Sequence, residues 1–499
     1  MCFEAGRAEA RRQLQTLYEA AKHTVGDEQA MILDVQMMML DDQDYIDSVN
    51  EMIRKGIGAA QAARDSGEVF AAAFAAMDDS YMNARAADVR DMSDRLAAIL
   101  CGSPGGFTME KPGVLVADDL TPSETLQLPK DKILAFVTRQ GSSNSHMAIL
   151  ARTLGIPSLV QAQISLDDAI DGHMIAVDGF TGDYYIDPDD AIQAGILKKQ
   201  EEESSLKEQL EAYRGRPSAT KKGRAVKLMA NIGGPEDVKK ALSCDAEGVG
   251  LMRSEFLYLG RERFPTEEEL YEAYRQVVTA LEGRPLVIRT LDIGADKQAD
   301  YFGLDHEENP ALGYRGIRIC LGDDTVFAPQ MRAIYRAAAH GPVCAMFPMI
   351  ASVWEVRKAK EFCAAIRAGL TAEGVPFGTV QLGIMVETPA AAICSAELAK
   401  EVDFFSVGTN DLTQYTLAVD RQNAKLDRFY DPHHPAVLEL LRQIAHNAHA
   451  AGIWAGICGE LAADLSLTDR FLEMGYDELS VSPGRILSLR KQVCESEVN

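Results

Sequence analysis

FFSVGTNDL, residues 404–412, is a short run rich in aromatic and β-branched residues that closes on glycine and then on Asn410 and Asp411. Such residues suit a pleated strand, and glycine with polar neighbours ends one. A run this apolar and this short fits a strand buried on both faces, as in a parallel sheet. Seven further stretches follow the same plan: VKLMANIG (226–233), GVGLMRSEF (248–256), PLVIRTLDIG (285–294), VCAMFPMI (343–350), QLGIMVETP (381–389), IWAGICGEL (453–461) and ELSVSP (478–483). Helix-length segments separate them. Eight βα units in succession over residues 223–499 predict a (β/α)8 barrel.

In such a barrel the active site lies at the C-terminal ends of the strands. Polar residues collect there. Arg253 and Glu255 follow the second run. Arg289, Asp292 and Lys297 belong to the third, Glu387 to the fifth, Asn410 and Asp411 to the sixth, and Cys458 and Glu460 to the seventh. Arg315 and Arg421 stand in loops. Any barrel rim is polar, so one such charge means little. Several arginines with carboxylates among them are harder to explain as stability alone. Arginine forks bind phosphate and carboxylate oxygens bidentately. Two carboxylates together with phosphate oxygens suit Mg²⁺, which prefers an octahedral oxygen shell. The rim therefore predicts a site for a phosphorylated, carboxylated small molecule with Mg²⁺.

The chain ahead of the barrel has a different rhythm. Residues 1–101 read as a helical bundle, with runs such as QAMILDVQMMML, IDSVNEMIRKG, EVFAAAFAAMDDSYM and AADVRDMSDRLAAIL. The methionine-rich run 36–40 reads as core filler, with an adaptable partner surface as the alternative. CGSPGGF (101–107) breaks the helical pattern. Short strand-like runs follow in GVLVADDL, ILAFVT, SLVQA, MIAVDG and DYYID, which predicts a small α/β domain over 102–188. A charged stretch, 189–222, reads as a solvated connecting helix with i,i+4 ion pairs.

Within the small domain stands GSSNSHMAILARTLGIP, residues 141–157. Ser145 suits an N-cap, Met147, Ile149, Leu150 and Leu154 give an apolar face, and Gly155 with Pro157 ends the helix. His146 then occupies the first turn, where free N–H groups favour negative charge. Two readings are open for it. It is an ordinary histidine bonded near a cap, or it carries a phosphoryl group, for which the small residues before it leave room. Combined with a phospho-ligand site on the barrel, the economical mechanism is in-line phosphoryl transfer from that ligand to His146. His433, His434, His446 and His449 read as surface features, since no third ligand lies near either pair.

Composition narrows the function classes. The chain has 499 residues, 75 acidic and 50 basic side chains, and a formal net charge of −25. That balance argues against sequence-independent nucleic-acid binding and against docking on an anionic membrane. No apolar run reaches the length of a membrane span, and MCFEAGRAEARRQ lacks a signal-peptide core. Nine scattered cysteines, an odd count without a C-x-x-C pair, fit a reducing cytoplasm.

GSSNSHMAILAR resembles the phosphohistidine signature of the phosphoenolpyruvate-utilising enzymes. DFFSVGTNDLTQYTLAVDR (403–421) is similar to their second signature. GLMRSEFL, VIRTLDIGADK, NPALGYRGIR, MVETPAAA and GICGELA also look like that family, and RAADVRDMSDRL with ADDLTPSE points to its sugar-phosphotransfer branch. The resemblance covers nearly the whole chain. It implies phosphoenolpyruvate as substrate, with Mg²⁺ held by Glu387 and Asp411. It implies Arg253, Arg289, Lys297, Arg315, Asn410 and Arg421 as ligands of the substrate's phosphate and carboxylate. His146 would take the phosphoryl group, and Cys458 would protonate the enolate carbon to give pyruvate. A thiol can act there because its ordinary pKa lies within reach of neutrality; the plain alternative for Cys458 is a buried small hydrophobe.

The helical domain would dock the phosphocarrier protein HPr, the small domain would swing between two positions, and the barrel would form a homodimer. The family pattern also begins with a strand ahead of the helices and runs further at its C-terminus, so a chain truncated at both ends, with an exposed sheet edge, is expected. Ser142 stands where the family has glycine. Two rivals remain: a truncated inactive or regulatory homologue, and a dikinase or synthase relative. The latter carry an ATP-binding domain, and no P-loop motif occurs here.

Overall fold

The computed structural model describes every residue except 1, 25–26, 77–79, 103–108, 110, 121–127, 130–131, 142–146, 149–150, 152–154, 167–169, 260, 262, 295–299 and 422. His146 and Lys297, two of the expected site residues, lie outside the described residues, as does Ser142. The chain forms two compact units, residues 1–203 and 204–499.

The first unit opens with five helices: α1 (Phe3–Thr24), α2 (Asp27–Leu40), α3 (Gln43–Arg54), α4 (Ala59–Ala75) and α5 (Ser80–Leu100). Asp42 caps α3, its carboxylate accepting the N–H groups of Asp44 and Tyr45 that the first turn leaves unpaired. Leu14, Leu40, Val49 and Leu96 are wholly excluded from solvent in the shared core. Helices α4 and α5 approach closely because Gly67 lacks a side chain; a Cβ there would lie 2.2 Å from Ser93 Oγ. The Tyr45 hydroxyl fills the space beside them, 3.1 Å from Ser93 Oγ and 3.2 Å from the Ala63 carbonyl. The run EVFAAAFAAMDDSYM, which reads as one helical stretch, is divided between α4 and α5. Ser80 opens α5, and serine favours helix starts over helix interiors. The methionine run divides too: Met37 is buried and Met38 exposed, because neighbouring helical residues face different sides.

Strands β1 (Gly113–Ala117), β2 (Ile133–Thr138) and β3 (Ser158–Leu159) form a parallel sheet in that order. β4 (Ile175–Asp178) and β5 (Asp183–Ile186) pair as an antiparallel hairpin. Leu115, Ile133, Phe136, Met147 and Ala151 share one core, so the residue after His146 is anchored in it. Gly155 has φ +69°, and the Ile156 N–H reaches the Ala151 carbonyl at 3.1 Å, a glycine-dependent stop. The helix Asp190–Glu211 follows and buries no residue. Lys199 on it pairs with Asp178 at the end of β4.

In the second unit, β6 (Lys227–Ile232), β7 (Val249–Arg253), β8 (Leu286–Arg289), β9 (Val343–Phe347), β10 (Val380–Val386), β11 (Phe404–Val407), β12 (Trp454–Ile457) and β13 (Glu478–Val481) close into a barrel. Every neighbouring pair is parallel, and β13 returns to β6. These are the eight runs read from the sequence. Side chains alternate as strand geometry demands. On β11, Phe404 points into the barrel with Leu251, Met346 and Met385, whereas Phe405 packs outward against the helices. Phe404 stacks on Trp454 with ring centroids 4.4 Å apart. Among the described residues, no helix is long and apolar enough to cross a membrane.

Candidate active site

A cavity of about 740 Å³ opens at the C-terminal ends of the barrel strands. Arg253, Arg289, Arg315 and Arg421 line it together with Glu387, Asn410, Asp411 and Cys458. All the described residues expected at the site are thus brought together, from β7, β8, the residues just after β10 and β12, the helix Thr409–Leu417 and two loops.

The arginines are held by carboxylates. Arg289 pairs with Glu255 and reaches Asp292 at 3.1 Å. Arg315 Nη2 donates to both oxygens of Asp292, at 2.9 and 3.0 Å, and stands 3.8 Å from Asp411. Burial opposes charge on both guanidiniums, but Glu255 and Asp292 for the first, and Asp292 and Asp411 for the second, outweigh it, so both are firmly cationic. The Nε atoms of Arg289 and Arg315 are buried without a hydrogen-bond partner among the described residues. Arg421 is more exposed and meets Asp411 at 3.4 Å. Arg253 has no ion pair among the described residues, which leaves its charge free for a ligand.

Glu387 and Asp411 are 1 % and 7 % exposed. The Met349 N–H donates to Glu387 Oε1 at 2.6 Å. Burial, and then the nearby Asp411 and Asp292, push the Glu387 carboxyl well above the usual range. A divalent cation bound beside these two buried carboxylates would relieve the repulsion that raises Glu387. Among the described residues, no group of three or more His, Cys, Asp or Glu could hold a metal by itself. A pair of carboxylates is a donor set that suits Mg²⁺, an ion that commonly takes one or two carboxylates and keeps several waters. Neighbouring glycines allow the crowding. A Cβ on Gly408 would lie 2.9 Å from Glu387 Oε2, and one on Gly459 would lie 2.0 Å from Thr409 Oγ1. Cys458 is 2 % exposed, and burial pushes its thiol up to about 11, so it carries its proton at neutral pH.

Family models match three segments. "PEP-utilising enzyme, N-terminal" covers residues 2–85, "PEP-utilising enzyme, mobile domain" covers 109–182, and "PEP-utilising enzyme, PEP-binding domain" covers 207–498. The phosphoenolpyruvate-protein phosphotransferase of Staphylococcus carnosus is 41% identical over 495 residues, 98% of this chain and 86% of that protein. Those of Lactococcus lactis and Enterococcus faecalis are also 41% identical, over 495 and 490 residues, covering 86% and 85% of their own lengths. The chain belongs to the phosphoenolpyruvate-protein phosphotransferase family, the enzyme I family.

For this family member, the mobile-domain match spans His146 and the PEP-binding match spans the whole cavity lining. Some cavity groups have no counterpart in the sequence reading. Tyr415 donates to the Ala311 carbonyl and stands 3.4 Å from Arg315 Nη1. Its position four residues after Asp411 on one helix face was a usable signal. Met349 has φ +58°, which aims its N–H at Glu387; no sequence pattern marks a left-handed methionine. Behind the cavity, Gln330 is fully buried. It donates to Ser254 Oγ at 3.0 Å and accepts the Leu291 N–H at 2.9 Å, while Ser254 donates to the Arg289 carbonyl at 2.6 Å.

Proposed function

We propose that the chain is a Mg²⁺-dependent phosphoenolpyruvate-protein phosphotransferase acting at the first step of sugar phosphotransfer in the cytoplasm. The observation that carries this reading is the cavity in which four arginines converge with Glu387, Asp411 and the protonated thiol of Cys458. Arg253, Arg289, Arg315, Arg421 and Asn410, with Lys297, bind the phosphate and carboxylate of phosphoenolpyruvate. Glu387 and Asp411 would hold Mg²⁺, which when bound supplies charge to the phosphoryl oxygens and the enolate oxygen. His146 attacks the phosphorus in line, the bridging P–O bond breaks, and its electron pair stays on the oxygen of the departing enolate. Cys458 Sγ gives its proton to C3, and pyruvate leaves. The phosphoryl group then passes from His146 to the histidine of HPr.

The division of labour on this reading is HPr docking by residues 1–101, phosphohistidine by 102–188, connection by 189–222 and phosphoenolpyruvate binding by 223–499. A homodimer through the barrel belongs to the same reading. Trp354, 61 % exposed on the helix Val353–Glu373 beside Leu321 and Phe362, supports it by offering an apolar face that a second copy would cover. The test is pyruvate release from phosphoenolpyruvate with HPr. It is expected to require Mg²⁺ and to fall at least a hundredfold, on the order of a lost electrostatic contact to developing charge, in Glu387→Gln. Release that persists under chelation contradicts the proposal.

A further inference from the structure

Ser406 lies on β11 and is 1 % exposed. Phe404 points into the barrel and Phe405 outward, so Ser406 points inward. It stands opposite Met385 on β10 and Gly456 on β12. Gly456 has no side chain, and the next inward group along that chain is Cys458. The Cys458 N–H donates to the Val407 carbonyl at 3.1 Å and its Sγ lies 3.6 Å from the same oxygen, so the thiol sits against the residue next to Ser406. The Ser406 hydroxyl forms no hydrogen bond of normal geometry among the described residues. It is nevertheless close enough to the Cys458 sulfur to draw the thiol's pKa down. A buried hydroxyl left without a partner is costly and calls for an explanation.

The geometry points to Ser406 as a positioning residue for Cys458, its hydroxyl donating to the thiolate left when C3 of the enolate takes the proton. This rests on the reading of Cys458 as the acid. The S–H bond breaks, a C–H bond forms at C3, and the electron pair of the S–H bond stays on sulfur. The thiolate later regains a proton from solvent. A neutral thiol is a weak acceptor and a thiolate a strong one, so this hydrogen bond strengthens as the proton leaves. An interaction gained along the reaction coordinate lowers its barrier. Arg289 acts on the sulfur in the same direction, whereas Glu387 and Glu478 oppose it.

The experiment is a single turnover of phosphoenolpyruvate with Mg²⁺, following phosphohistidine formation and pyruvate release in H₂O and D₂O. Wild type is compared with Ser406→Ala and Ser406→Cys. The cysteine variant is near-isosteric and a weak donor, so it carries the test if the alanine variant misfolds. Both variants are expected to form phosphohistidine at the wild-type rate and to release pyruvate about ten- to a hundredfold more slowly, the scale of one hydrogen bond to a charged group. Their solvent isotope effect on pyruvate release is expected to exceed that of wild type. Pyruvate released at the wild-type rate, or both steps slowed equally, overturns the assignment. A wild-type chain that releases no pyruvate overturns the phosphotransfer reading and this assignment with it.

Discussion

At the scale of single residues, burial separates groups that serve the ligand from groups that also hold the fold. Arg315 is buried and chelated by Asp292, whereas Arg421 is 38 % exposed and meets Asp411 at 3.4 Å. Removing one partner of a buried ion pair costs about 3–5 kcal/mol, while exposed pairs contribute about 0–1 kcal/mol. Arg315→Ala is therefore expected to lower both phosphoenolpyruvate affinity and the denaturant midpoint, and Arg421→Ala the affinity alone. Equal midpoint losses would contradict that distinction.

Glu478, at the opposite end of the barrel from the cavity, offers a pH test. Burial pushes its carboxyl from an ordinary 4.5 up to about 7, only partly offset by Lys227, and its Oε1 lacks a partner among the described residues. The folded state then holds the proton more tightly than the unfolded one. Stability falls as pH rises from about 4.5 to about 7, by roughly 3 kcal/mol from this group. In Glu478→Gln that fall is expected to disappear, so the variant gains on wild type across the window when unfolding is followed by denaturant at several pH values.

Elements carry the next set of consequences. The strand ends of β11 and β12 come together only because Gly459 lacks a side chain. Gly459→Ala is expected to force β12 from the helix Thr409–Leu417 and to weaken phosphoenolpyruvate binding by isothermal titration, while leaving the helical bundle's unfolding unchanged. At the base of the barrel, Arg490 is 2 % exposed in the last helix, Ile486–Glu495. It pairs with Asp245 and donates to the Asp245 carbonyl at 2.8 Å and to Ser218 Oγ at 3.1 Å. It thereby ties the segment entering the barrel to the segment leaving it. Arg490→Ala removes these contacts from a half-buried Asp245 and is expected to destabilise the barrel by about 1–3 kcal/mol, read as a separate shift of its calorimetric transition.

How far the sequence reached differs between elements for physical reasons. Buried parallel strands are short apolar runs with polar ends, so all eight were legible, and with them the charges at their ends. The helix boundary near Ser80 was not, because alanine-rich residues on either side favour helix equally. Tyr415 and Met349 escaped because their roles depend on where a hydroxyl or an N–H points in space. Ser406 reads as one more strand residue until its neighbour across the sheet is known to be glycine.

For the molecule as a whole, the claim is that groups on separate parts of one chain act on the same phosphorus atom. The barrel cavity gathers cations, carboxylates and the Cys458 thiol, which burial holds protonated. On this account the phosphoryl acceptor is the histidine of the mobile-domain segment. The most direct measurement is therefore the fate of the phosphoryl group itself. Phosphoenolpyruvate labelled in its phosphate is mixed with Mg²⁺ and the purified chain, wild type beside His146→Ala, with and without HPr. The account predicts acid-labile label on the wild type alone, which moves to HPr when HPr is added. Label retained by His146→Ala, or label on the wild type that never passes to HPr, would contradict it.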